Sequence, residues 1–149
     1  MPDRDMKPVK MVALDTEDLA VVSAHVQDAV LKVGDIRWMP AENRCVFQLN
    51  RFAWERKVRR RRDNERRLAV LHFDRVIAVK AQRIRQDQPE TVLSLLAVTF
   101  EPTDPPAGVV TLAFSGEATM RLEVECLEAQ LADVGAAWST HARPKHPLV

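Results

Sequence analysis

Between Ile36 and Val124 the apolar residues recur at every second position, in short runs separated by turn-forming residues. That period belongs to extended strands whose faces alternate between core and solvent. Ile36 and Trp38 face one way and Arg37 and Met39 the other. Pro40-Ala41-Glu42-Asn43 carries turn chemistry, and Cys45, Phe47 and Leu49 return against Val46, Gln48 and Asn50. Leu68 to Phe73 and Val76 to Ile84 read as two further strands, the second with Ile77, Val79 and Ala81 opposing Lys80 and Gln82. Thr91 to Phe100 is apolar on both faces, which predicts a central or helix-covered strand ended by Pro102-Thr103-Asp104-Pro105-Pro106. Val110, Leu112 and Phe114, then Met120, Leu122 and Val124, predict a hairpin around Ser115-Gly116-Glu117-Ala118 that exposes Arg121, Glu123 and Glu125.

A different period flanks these seven strands. Leu19, Val22, Val26, Ala29, Val30 and Val33 recur three and four apart, predicting a helix capped by Thr16, with Glu17 and Asp18 in its first turn and Gly34 at its end. Leu127, Leu131, Val134 and Trp138 predict a second amphipathic helix. The pattern is an α+β fold, mostly antiparallel β, because strands do not alternate with helices. Seven meandering strands closed by a carboxy-terminal helix resemble the pleckstrin-homology-like topology, as a small barrel or a curved sheet. At 149 residues the expectation is a single domain over 1–149, with mobile tails at 1–10 and 139–149 and a basic loop at 56–67. Four glycines are too few for phosphate-cradling loops or solenoid repeats.

Placement follows from what the chain lacks. The start, Met-Pro-Asp-Arg-Asp-Met-Lys-Pro, has no apolar signal region, and apolar stretches are short, such as Leu95 to Val98, far below the roughly 18 residues of a membrane span. Cys45 and Cys126 have no partner pattern and read as buried free thiols. A cytoplasmic protein without a membrane span is expected.

The net charge of +1 conceals an asymmetry. Residues 51–85 hold 13 Lys and Arg against 4 Asp and Glu, a balance of +9, and the remainder carries −8. The steepest part is Arg56, Lys57, Arg59, Arg60, Arg61, Arg62, Arg66 and Arg67, interrupted only by Val58 and by Asp63-Asn64-Glu65. Guanidinium groups grip phosphate bidentately, so the run suits a nucleic-acid backbone or another anionic surface. No aromatic residue lies inside it, and no helix-turn-helix, RNP-like or zinc-finger pattern accompanies it, which argues against base reading. The plainer reading is a solvated hairpin tip that meets the acidic remainder of the chain.

Catalytic signatures are missing: there is no GxSxG, HExxH, CxxC, Walker or GxGxxG string. This leans against an enzyme, and neither a cofactor nor a metal site is expected. His25, His72, His141 and His146 share no ligand spacing. Glu123 and Glu125 share a strand face but read as solvated charge. Asn50, Arg51, Trp54 and Glu55 mix an indole with polar groups where a strand leaves the core, and anchoring of the loop base is the favoured role.

Several strings, Leu14-Asp15-Thr16-Glu17-Asp18-Leu19, His25-Val26-Gln27-Asp28-Ala29, Asn50-Arg51-Phe52-Ala53-Trp54-Glu55 and Leu122-Glu123-Val124-Glu125-Cys126-Leu127-Glu128-Ala129, resemble the alphaproteobacterial DUF2948 family of unknown function. The resemblance spans nearly the whole chain. It implies a cytoplasmic bacterial protein and brings no activity, cofactor or catalytic residue, so a link between a pleckstrin-like barrel and inositol lipids is not assumed. Three readings are carried forward. The first is a non-catalytic binding or interaction domain with the 56–67 loop as contact element for a polyanion or an acidic protein surface. The second is a small ligand-binding protein or enzyme whose pocket near the amino-terminal helix gathers His25, Gln27, Asn50 and Trp54. The third is a homodimer pairing the basic loop with Glu123 and Glu125.

Overall fold

The computed structural model describes residues 8–52 and 66–135. The amino-terminal helix α1 spans Thr16–Val26 and turns Leu19, Val22 and Val26 into the core at the expected three- and four-residue spacing. Its cap is Asp15 rather than Thr16: Asp15 Oδ1 accepts from the Asp18 backbone N–H at 2.8 Å. The helix stops seven residues short of the predicted end. Asp28 adopts a left-handed φ of 66°, its N–H donates to Leu95 O at 2.7 Å, and Val30–Lys32 continues as a strand, β2. Strand pairing wins here because Leu31, off the helical stripe, is the buried side chain of β2 and β-branched Val30 suits extended backbone. Gly34 therefore does not cap a helix. It lets the chain pass Pro89, whose Cβ would lie 2.9 Å from a Cβ at position 34.

Ten strands are present among the described residues. Besides β2 they are β1 (Lys10–Ala13), β3 (Ile36–Met39), β4 (Arg44–Phe52), β5 (Arg66–Phe73), β6 (Val76–Gln82), β7 (Val92–Pro102), β8 (Gly108–Phe114), β9 (Thr119–Val124) and β10 (Ala129–Asp133). The predicted carboxy-terminal helix is β10. Ala129 and Leu131 point inward at period two, whereas Val134, on the supposed helical stripe, is 55% exposed and Trp138 lies outside the described residues. The pleckstrin-like comparison rested on that helix and goes with it. Lys10, assigned to a tail, begins β1, which pairs with β10.

All pairings are antiparallel, in the order β1-β10-β5-β4-β2-β7-β8-β9-β6, with β3 also on β4. This is not a simple meander, because β10 sits between β1 and β5, and β2 between β4 and β7. The sheet does not close: β1 pairs only with β10 and β6 only with β9. Strand β7 bends it, pairing with β2 at its start and with β8 thereafter, with a register irregularity between Leu95 and Ala97. The two halves so formed pack into one core. Phe47, Leu71, Phe73 and Leu131 come from one half and Leu112, Phe114 and Leu122 from the other. Phe47 and Phe73 meet edge to face, centroids 6.1 Å apart. Helix α1 packs on β7 and β1, and Ser23 Oγ accepts the Val98 N–H of β7 at 3.0 Å.

Leu122 and Leu131 are both fully buried. Leu122→Ala or Leu131→Ala should each lower the unfolding free energy by about 2–5 kcal/mol in denaturant titrations. Leu96→Ala, at a side chain 46% exposed, should stay within about 0.5 kcal/mol of the parent. A Leu131→Ala protein as stable as its parent would refute the role given to β10.

Candidate binding site at the base of the basic hairpin

Strands β4 and β5 form the longest ladder of the fold, eight residue pairs from Cys45↔Phe73 to Phe52↔Arg66. Its inward positions on β4 are Cys45, Phe47, Leu49 and Arg51. The alternation that buries three apolar side chains therefore also buries a guanidinium, whose exposure is 0%. The same happens on β5, where Arg67 precedes Ala69, Leu71 and Phe73 on the inner face and is 3% exposed.

An isolated buried cation is costly, and β10 supplies the counter-charge. The Asp133 carboxylate has no exposed surface and receives Arg51 in a fork: Nε donates to Oδ1 and Nη2 to Oδ2, both at 2.9 Å. Arg51 Nη1 also donates to Phe52 O at 3.1 Å. Asp133 Oδ2 accepts the Val9 N–H at 2.8 Å and lies 3.8 Å from Arg67 Nη1. One carboxylate thus sits between two guanidiniums whose residues are Cα partners across the ladder. At the mouth of the stem the Arg66 guanidinium carbon lies 4.1 Å from the Phe52 ring centroid. Desolvation lowers the pKa of Arg66 below its ordinary value.

Of the cations predicted to form the contact loop, Arg66 and Arg67 are stem residues in β5, and Arg67 points inward. Arg56, Lys57, Arg59, Arg60, Arg61 and Arg62 lie outside the described residues, as does Trp54. Of the predicted pocket residues, His25 keeps Nδ1 3.0 Å from Val21 O in its own helix, and Gln27 is exposed. Asn50 stands in β4 opposite Val30 and Leu68, with Oδ1 buried and without a hydrogen-bond partner. Neither of the two surface clefts described here, between β3 and β6 and on the outer face of β6 and β9, is lined by any of these three. The anchoring role read for Arg51 matches its buried position. Asp133 went unnoticed, although it continues the inward series Ala129, Leu131.

Other titratable groups are dispersed. Cys45 is buried and its thiol is pushed up to about 12 by desolvation, so it is unreactive at neutral pH. Cys126, expected to be buried, is partly exposed just beyond β9. Glu123 and Glu125 are solvated, and Glu125 lies 4.0 Å from Arg75. Among the described residues no group of three or more His, Cys, Asp or Glu is placed to hold a metal ion. No helix there is long and apolar enough to cross a membrane.

His72, on the outer face of β5, lies 3.6 Å from Asp74, which is itself held by Arg44 at 2.7 Å. Burial lowers the His72 pKa below its ordinary 6.5, and the opposing pull of Asp74 does not restore it. The unfolded chain then binds this proton more readily than the native state, so the contribution of His72 is present above its unfolded pKa and lost as pH falls through the folded one. His72→Gln should flatten the pH dependence of stability below about pH 6.5. An unchanged profile would assign that dependence elsewhere.

Removing one partner of the buried pair should be severe. Asp133→Asn is expected to cost about 3–5 kcal/mol, and the double variant Arg51→Met, Asp133→Asn should lose less than the sum of the two single losses. Single-variant losses that simply add in the double variant would show that the two groups are not coupled.

Comparison with curated proteins and with solved structures finds no match. A family model does match, over residues 9–146, and its description is a protein of unknown function, DUF2948. The match takes in β1, β10 and the whole basic hairpin between them in sequence, so the chain belongs to the DUF2948 family.

Proposed function

We propose that this protein is a non-catalytic binding domain of the cytoplasm that contacts a polyanion, in the first instance a nucleic-acid backbone, through Arg56, Lys57, Arg59, Arg60, Arg61 and Arg62. The observation that carries the reading is the Arg51–Asp133 fork. It fixes the stem from which the basic segment departs, with a second cation, Arg66, seated on Phe52 at its mouth. A rigid base suits phosphate contact because it orders less chain on binding than a free basic tail would. The segment 53–65 holds six Lys and Arg against three Asp and Glu, so its attraction is electrostatic and independent of base sequence. Arg67 belongs to the brace in this reading and not to the contact set.

Fluorescence anisotropy with labelled duplex DNA and single-stranded RNA over a salt series tests it. Log affinity should fall with log salt at a slope of about −0.9 for each contacted phosphate of duplex DNA. A variant with Arg59, Arg60, Arg61 and Arg62 replaced by Gln should melt like the parent and lose the binding. Absence of binding at low salt, or equal binding by the variant, would overturn the proposal.

A further inference from the structure

Two strand edges of this fold face one another without pairing. Strand β3 is bonded to β4 and β6 to β9, and among the described residues no backbone hydrogen bond joins β3 to β6. Closing that seam would satisfy both edges, yet contacts at its two ends hold it open. At one end Asn43, in a left-handed turn, is tied to β6: Val76 N donates to Asn43 O at 2.9 Å and Asn43 Nδ2 donates to Val76 O at 3.1 Å. At the other, the segment before β7 docks on the chain ahead of β3, with Gly34 N donating to Pro89 O and Val33 N to Thr91 O, both at 2.9 Å.

Between these two fastenings lies a cleft of about 440 Å³. Ile36 and Trp38 wall one side and Val79 and Ala81 the other, and Ile84, Gln86 and buried Met120 add to the lining. Ile36, Trp38, Val79 and Ile84 are only partly covered although they pack against the core. The size is that of sites for small organic ligands; the lining side chains are apolar but for the Gln86 amide and the Trp38 indole N–H, and the surface they share with the backbone is polar and apolar in nearly equal parts.

We propose that the cleft binds a small neutral amphiphile, with an apolar body against Trp38 and Val79 and one hydroxyl or carbonyl toward the Gln86 amide. The lining contains no ionisable side chain, so an ionic group buried against it would find no counter-charge. The fastenings fix its length. They block both ends of the seam, so an extended polypeptide has no path to enter and leave, whereas a short molecule fits from the open face. The site lies apart from the basic hairpin, because β3 pairs with the first residues of β4 and the hairpin departs from its last.

The test displaces the neutral probe N-phenyl-1-naphthylamine from the whole protein with a series of linear primary alcohols. Affinity should rise about four-fold per added methylene, equivalent to about 0.8 kcal/mol, until the cleft is full. Ala81→Trp places an indole in the cleft from a side chain that is exposed, so the fold should survive while probe and alcohol binding fall at least ten-fold. Val79→Trp serves as a second obstruction should the first variant melt early. Failure of the probe to bind, affinities that ignore chain length, or a folded Ala81→Trp or Val79→Trp variant that binds as well as the parent would each overturn the proposal.

Discussion

A carboxylate without solvent organises one whole end of this molecule. Asp133 belongs to β10, yet its oxygens are bonded by Arg51 of β4 and by the backbone of Val9 just ahead of β1, with Arg67 of β5 close by. Four segments distant in sequence are thereby held to one pair of oxygen atoms. Ion pairs out of water contribute little net stability compared with well-packed apolar groups, but they penalise every arrangement in which either partner is left alone. In this fold the penalised arrangements include a helical β10, which would not present Ala129, Leu131 and Asp133 together on one face, and any slip of β4 against β5. A one-residue slip would turn Arg51 outward and expose Phe47 and Leu49 with it.

The strands were legible because their period is dictated by the pleat. Cys45-Phe47-Leu49, Val110-Leu112-Phe114 and Met120-Leu122-Val124 point inward as their alternation requires. The two errors of element type share a cause. Leu127 and Leu131 are four apart, a spacing that serves a helix face and a strand face equally, and so is the step from Val22 to Val26 that seemed to continue through Val30. What decided between the periods was the neighbouring strand: β7 recruits Val30–Lys32, and β1 and β5 recruit Ala129–Asp133. Those partners are far away in sequence and leave no local trace.

The candidate sites were legible to different degrees. Arg51 could be read as an anchor because it follows three inward positions at the right parity, and Asp133 could have been found by extending the same parity from Leu131. The charge of residues 56–62 was plain from composition. The β3–β6 cleft was out of reach, since it is made by two strands that do not pair and by turns at Asn43 and Gly34 that keep them apart. Family resemblance, carried by strings spread from Leu14 to Ala129, agrees with the family model.

The position of β10 between β1 and β5 also has a kinetic meaning. Lys10 meets Ala132 across this ladder, so β1 emerges from the ribosome long before the strand that will hold it, and β5 waits with one edge bare and a guanidinium at its inner face. Non-local closures of this kind slow folding, because the loop entropy is lost before the contacts are gained. A nascent chain that has reached β9 can already fold β7, β8 and β9, whose contacts are local, while its amino-terminal half stays exposed to whatever else binds strand edges. The two ladders of β10 are thus the last pairings of the sheet that the growing chain can complete.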